Sequence, residues 1–308
     1  MRLLIVGAGA TGGYFGGRLI QAGRDVTFMV RPDRMIALRA RGLEIVSPHG
    51  NEMLTPHIVA SGQVDGYYEV VLVAVKAFAL EQAMSDFNGA VGPETTILPV
   101  LNGMKHMEVL AARFGRASVG GCVCIVTTML DDAGRIVQLA DHQSLAYGEM
   151  NGAASTRMSE IDAFMRCGRF DAHLSSDIAR EMWEKWLLLA SLAGMTCLMR
   201  GSIGDIQAAA GGADFACRFV DEVLSVVRAI GRQPSSAFVA TARSVLTAKG
   251  STLTASMYRD LQQGRPIEAD QIIGDLVARA EAARLPVPLL RTAFTHLSVY
   301  EKRARSRP

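Results

Sequence analysis

The chain opens on a short apolar run, Leu3-Leu4-Ile5-Val6, continuous enough to be buried on both faces as a parallel strand. A glycine turn follows, then a helix-compatible stretch through Gly23, then a second apolar run, Val26-Thr27-Phe28-Met29-Val30. The same alternation continues downstream. Leu43–Val46 reads as a third strand, Val70–Val75 as a buried one, and Thr96–Leu101 as another despite Pro99. Ser118–Met129 is rich in Val, Cys, Ile and Thr and reads as strand. Asp131-Asp132-Ala133-Gly134 signals a turn, so Arg135–Leu139 is expected to pair back as a hairpin, with Ser144–Tyr147 continuing the sheet. Ser155–Cys167 has helical character, and Arg169–Leu174 is a final strand.

The pattern then changes. Ser175-Ser176-Asp177 supplies helix-capping residues, and segments 178–193, 213–230, 236–249, 270–284 and 287–303 carry helical periodicity. Gly231, Pro234, Gly250, Gly264, Pro266, Pro286 and Pro288 punctuate them. These patterns predict an α/β protein. A Rossmann-type, doubly wound dinucleotide-binding domain spans residues 1–174, and an all-α substrate and catalytic domain spans 175–308. A ligand cleft is expected between the halves, at the carboxyl ends of the parallel strands.

Composition narrows the function classes. A length of 308 residues suits two domains, and a net charge of +2 carries no nucleic-acid signal. The basic stretch Lys302–Arg307 is too short for a binding arm and reads as a solvated, frayed terminus. The leading apolar run is too short for a secretory signal, and Trp186–Met199 is shorter than a membrane span and holds Ser191, Gly194 and Thr196. A cytoplasmic protein with no membrane partner is expected. The five cysteines (Cys122, Cys124, Cys167, Cys197, Cys217) lack the spacing of a disulfide framework; Cys122 and Cys124 share a strand face and read as core. The histidines are dispersed, so no metal site is expected.

Gly7-Ala8-Gly9-Ala10-Thr11-Gly12 sits between a strand and a helix, the context in which such a motif holds a pyrophosphate. The second strand ends in Arg31, where an NAD site usually places an acid; a guanidinium there grips a 2′-phosphate at two points, so NADPH is the expected cofactor. The alternative is that Arg31 and Arg34 are solvated loop charges. Lys76 and Asn102 follow the next two sheet strands, where Lys76 can reach cofactor phosphate or ribose and Asn102 the nicotinamide side or the substrate. Their plainer readings are a lysine leading into a helix and an Asn-Gly turn. Lys185 lies in the apolar helix around Trp183 and Trp186 and either snorkels to the surface or faces a cleft, where desolvation suits it to proton transfer.

A further block, Ser256-Met257-Tyr258-Arg259-Asp260 followed by Gly264-Arg265-Pro266-Ile267-Glu268-Ala269-Asp270 and Gly274, bears on that choice. Together with the glycine turn, Arg31, Lys76, Asn102-Gly103 and Trp183-Glu184-Lys185, the chain resembles the ketopantoate reductase (2-dehydropantoate 2-reductase) family over nearly its whole length. The resemblance implies NADPH-dependent reduction of a 2-oxo acid to a 2-hydroxy acid and a place in pantothenate biosynthesis. It implies Lys185 as general acid, Glu268 as the acidic residue supporting catalysis, Ser256 on the substrate carboxylate and Asn102 near nicotinamide and substrate. It also implies cofactor contacts from residues 7–12, Arg31 and Lys76. Three family asparagines are here Leu189, Ala193 and Leu253, which points to a more apolar keto substrate. The rival readings are a D-2-hydroxy-acid dehydrogenase working oxidatively and a catalytically idle NADP-binding sensor. The apolar C-terminal helices leave room for a homodimer face.

Overall fold

The computed structural model describes residues 1–305 and divides into two compact units. The first comprises residues 1–101 and 106–179; the second comprises 102–105 together with the chain from Arg180 onward.

The strands of the first unit are β1 (Leu3–Val6), β2 (Val26–Val30), β3 (Leu43–Val46), β4 (Glu52–Leu54), β5 (His57–Ala60), β6 (Val70–Val73), β7 (Thr96–Pro99), β8 (Gly121–Leu130), β9 (Ile136–Gly148) and β10 (Asp171–Leu174). Its helices are α1 (Ala10–Gln21), α2 (Pro32–Arg41), α3 (Leu80–Asp86), α4 (Lys105–Phe114, whose first residue belongs to the second unit) and α5 (Thr156–Met165). Five strands form a parallel sheet in the order β5-β2-β1-β6-β7, the doubly wound arrangement expected from the sequence. Strand order reverses between β1 and β6, and the loop after β1 is the glycine turn.

The edge strand beside β2 is His57–Ala60, which the apolar pattern did not reveal. β5 is a short, partly exposed edge strand led by a histidine, so it has no apolar run to betray it. Leu43–Val46 joins a second sheet, β10-β9-β3-β4, in which it pairs antiparallel with β4 and parallel with β9. The expected hairpin is present, with β8 and β9 antiparallel around the 131–135 turn. Ile136–Gly148 is one continuous strand rather than two.

Helix α1 is flanked by side chains of both sheets. A Cβ at Gly16 would lie 2.5 Å from Phe28 Cζ, and one at Gly17 would lie 2.6 Å from Ile45 Cδ1. Gly7 has φ +102°, which bends the chain sharply out of β1, and its amide donates to Met29 O at 3.0 Å. A Cβ at Gly12 would collide with the Gly7 carbonyl and come within 2.7 Å of Ala74 Cβ, whereas one at Gly9 meets nothing within 4 Å.

The second unit is helical: α6 (Ile178–Met199), α7 (Ile203–Ala208), α8 (Gly212–Ile230), α9 (Ser236–Leu246), α10 (Ser256–Gln262), α11 (Asp275–Ala282) and α12 (Pro288–Arg305). α6 begins two residues inside the first unit. Gly194 of α6 admits the Phe219 ring of α8, whose buried stripe includes Val220, Val223, Leu224 and Val227. α7 and α10 are six and seven residues long, too short for the periodicity that revealed the others. The expected helix over 270–284 is a π-helical turn at Asp270–Gly274 leading into α11. In the basic terminus Lys302–Arg305 continue α12, and Ser306–Pro308 lie outside the described residues. Among the described residues no helix is long and apolar enough to cross a membrane. Cys122, Cys124 and Cys197 are buried while Cys167 and Cys217 are exposed, and burial pushes the Cys197 thiol up to about 12.

The two glycines separate packing from access. Gly12→Ala should destabilise the fold by about 1–3 kcal/mol, because backbone must shift to admit the methyl. Gly9→Ala should stay within about 0.5 kcal/mol of the parent. Chemical denaturation of both variants checks this, and equal losses would contradict the packing described.

Candidate active site

In the first unit three candidate cofactor contacts share one edge of the parallel sheet. Val6 is level with Met29 of β2 and with Val73 of β6, so Gly7, Arg31 and Lys76 all follow the carboxyl ends of adjacent strands. Arg31 is exposed and precedes Pro32 at the start of α2; Lys76 is exposed and precedes a single 3₁₀ turn at Ala77–Ala79. The turn Gly7–Gly12 delivers the chain into α1, whose preceding residue Gly9 supplies no side-chain cap. The first amides of α1 and the open space beside Gly9 suit a phosphate, by hydrogen bonding and by the helix dipole.

Arg34 departs from the expectation of a solvated charge. Its Nε donates to Ala8 O at 3.0 Å and its Nη1 to Gly134 O at 3.1 Å. It therefore braces the glycine turn from outside, and burial lowers its guanidinium below the ordinary value.

In the second unit, Lys185 lies on α6 between two buried neighbours. Glu184 Oε1 accepts the Ser235 amide at 2.7 Å. Trp186 Nε1 donates to Ile272 O at 2.9 Å, within the π-helical turn. Lys185 itself is half-buried, as are Glu181, Leu188 and Leu189 on the same side of the helix. Glu268 is 9% exposed, and its carbonyl accepts the Ile272 amide at 3.0 Å.

Asn102 and Gly103 belong to this unit rather than to the sheet they follow. Gln271 Nε2 donates to Asn102 O at 2.9 Å, and Lys105 Nζ meets Asp270 Oδ2 at 2.5 Å. The Asp270 carboxylate holds the Lys105 ammonium above its ordinary value, with Asp275 adding to the effect. The π-helical turn thus ties together the Asn102 turn, the helix carrying Lys185 and the segment carrying Glu268. Sequence reasoning missed Gln271 and Lys105, since neither residue type carries chemistry of its own in that position. Ser256 is the first residue of α10 and is exposed. Leu189 is half-buried, Ala193 buried and Leu253 exposed. Among the described residues no three or more His, Cys, Asp or Glu gather as a metal site.

Comparison with known proteins covers both units. A family model described as ketopantoate reductase PanE/ApbA matches residues 3–152, and one described as its C terminal matches residues 177–301. The chain is 33% identical over 301 residues to an uncharacterized oxidoreductase, YkpB, of Bacillus subtilis, covering 98% of this chain and 99% of that one. It is 26% identical to 2-dehydropantoate 2-reductase of Halobacterium salinarum, over 95% of this chain and 96% of the relative. A crystal structure of 2-dehydropantoate 2-reductase from Geobacter metallireducens superposes with a TM-score of 0.87 at 26% identity, covering 97% of this chain and 99% of that one. A ternary structure of D-mandelate dehydrogenase with NADH and anilino(oxo)acetate has a TM-score of 0.89 over the full length of both chains at 18% identity, a likeness of fold. With one family spanning the sheet-bearing unit and the helical unit alike, this chain belongs to the ketopantoate reductase PanE/ApbA family of oxidoreductases.

Proposed function

We propose that this protein reduces a 2-oxo acid to the 2-hydroxy acid with NADPH, and that Lys185 donates the proton. The observation that carries this reading is the half-buried lysine of α6 in a reductase-family chain, flanked by a tryptophan bonded to the turn that follows buried Glu268. NADPH, when bound, supplies the hydride. The chain's own groups do the rest. The α1 amides and the Gly9 backbone receive the pyrophosphate, Arg31 the 2′-phosphate, and Lys76 a phosphate or ribose oxygen.

A ketone oxygen that receives a hydride at its carbon becomes an alkoxide. The Lys185 ammonium stabilises that charge and then neutralises it by proton transfer. Glu268 orients the ammonium. Asn102 holds the substrate against the nicotinamide side, and the Ser256 hydroxyl donates to the substrate carboxylate. The same groups serve the reverse oxidation, so the direction is set by reactant concentrations and pH.

Substrate choice follows from the apolar company of Lys185. Leu188 and Leu189 share its half-buried side of α6, and Ala193 continues that row. Such a surface offers a substrate hydroxyl no partner, and a polar group buried without one is disfavoured. We assign the protein a 2-oxo acid with an apolar tail in preference to ketopantoate.

Four measurements test this reading. NADPH oxidation should be faster, by kcat/KM, with 4-methyl-2-oxopentanoate or phenylpyruvate than with ketopantoate; the reverse order would reject the apolar assignment. Tight NADPH binding without turnover on any 2-oxo acid would favour the idle sensor. Lys185→Ala should lower kcat by about 10²–10⁴-fold, and an unchanged kcat would remove Lys185 from proton transfer. Arg31→Ala should raise the KM for NADPH about tenfold or more while leaving that for NADH nearly unchanged. A parent enzyme that prefers NADH would sink the 2′-phosphate assignment.

A further inference from the structure

We infer that Gln271 is a positioning residue for Asn102, setting where the Asn102 amide stands by holding that residue's own backbone. The inference rests on the role given to Asn102 above. Gln271 is 6% exposed, and its Nε2 donates to Asn102 O at 2.9 Å. The grip is two-sided. Gly103 has φ +81°, and a Cβ there would come within 2.5 Å of the Gln271 carbonyl oxygen. The Asn102-Gly103 turn is therefore seated on Gln271 through both its side chain and its main chain, and only glycine permits the approach.

The surroundings of Gln271 explain why this seat matters to the chemistry. Asp270, Gln271 and Ile272 are consecutive in the π-helical turn, and each is tied to a different part of the unit. Asp270 holds Lys105 at the far end of the Asn102 turn, Gln271 holds Asn102 itself, and the Ile272 carbonyl holds the indole of Trp186, next to Lys185. Glu268 is bonded into the same turn through the Ile272 amide. A π-turn carries one more residue per hydrogen-bonded ring than an α-turn, so a single turn presents a fan with one more side chain. Here that fan lets a single turn fix the spacing of Asn102, Lys185 and Glu268. The Lys105–Asp270 pair is solvent-exposed and contributes little holding force. The buried Gln271 amide is the stronger tie.

A double-mutant cycle on the full-length protein tests this. Gln271→Met keeps the side-chain length and removes the donor. With NADPH and 4-methyl-2-oxopentanoate or phenylpyruvate, whichever is turned over faster, it should lower kcat/KM about tenfold or more, since small misplacements of reacting groups cost this much. In an Asn102→Ala background the same substitution should cost less than about twofold, because the group it positions is gone. Amide hydrogen exchange should accelerate at residues 101–106 and stay unchanged at residues 7–12, a readout that needs no substrate.

Equal losses in both backgrounds, or unchanged exchange at 101–106, would overturn the inference. If Gln271→Met does not fold, Lys105→Met loosens the same turn from its exposed end; it should show a smaller loss that also vanishes in Asn102→Ala, and an additive loss would overturn the inference. Full kcat/KM in Asn102→Ala itself would refute the role given to Asn102, and the inference with it, whatever Gln271→Met does.

Discussion

The close approach of helix α1 to two sheets at once is the constraint on which the first unit depends. Four glycines, Gly12, Gly13, Gly16 and Gly17, fall on two adjoining sides of one twelve-residue helix. Gly12 and Gly16 meet Ala74, Ile5 and Phe28 of the parallel sheet, while Gly13 and Gly17 meet Ile136, Leu43 and Ile45 of the second. Each glycine in a helix interior costs about 1 kcal/mol relative to alanine. That cost is offset because the backbone of α1 becomes the surface against which both sheets close, burying Leu3, Ile5, Phe15, Phe28, Ile45 and Ile136 almost completely. The same seating aims the start of α1 at the sheet edge where Arg31 and Lys76 follow their strands. Packing in the core and the placement of the first α1 amides at the rim are thus consequences of one helix position.

The second unit solves a different problem. Its polar groups must be kept in register within a largely apolar helical bundle. Glu184, Trp186, Glu268 and Gln271 are all buried, and three of them bond to backbone: Glu184 takes the Ser235 amide, Trp186 the Ile272 carbonyl, Gln271 the Asn102 carbonyl. Bonds from side chain to main chain orient a group without placing a second charge in a poorly solvated setting, where desolvation is costly. Arg279 adds to this order, bonded to Asp275 at 3.0 Å and lying over the Trp186 ring at 5.8 Å.

Much of this was legible from residue patterns, and the omissions have physical causes. The strand–glycine turn–helix–strand opening announced itself because buried parallel strands are written as unbroken apolar runs. β5 escaped because an edge strand has little to bury, and the reading of Leu43–Val46 as a strand left its sheet open because an apolar quartet does not say which neighbour it pairs with. The reductase-family resemblance was readable from the glycine turn, Lys185 and the Ser256–Asp270 block. The bracing of Ala8 by Arg34 and of Asn102 by Gln271 was not. Those bonds go to carbonyl oxygens, which every residue has, so no residue type at the receiving end marks them.

The assignment of residues 102–105 to the helical unit also bears on how the chain can be divided. A gene cut at residue 179 looks like a clean separation of sheet from bundle, but it strands four residues on the wrong fragment. The bundle made alone would keep Asp270 and Gln271 and lose Lys105 and Asn102, leaving a buried amide to seek water where it had a carbonyl. A helical half transferred without residues 102–105 would lack the carbonyl that Gln271 Nε2 meets.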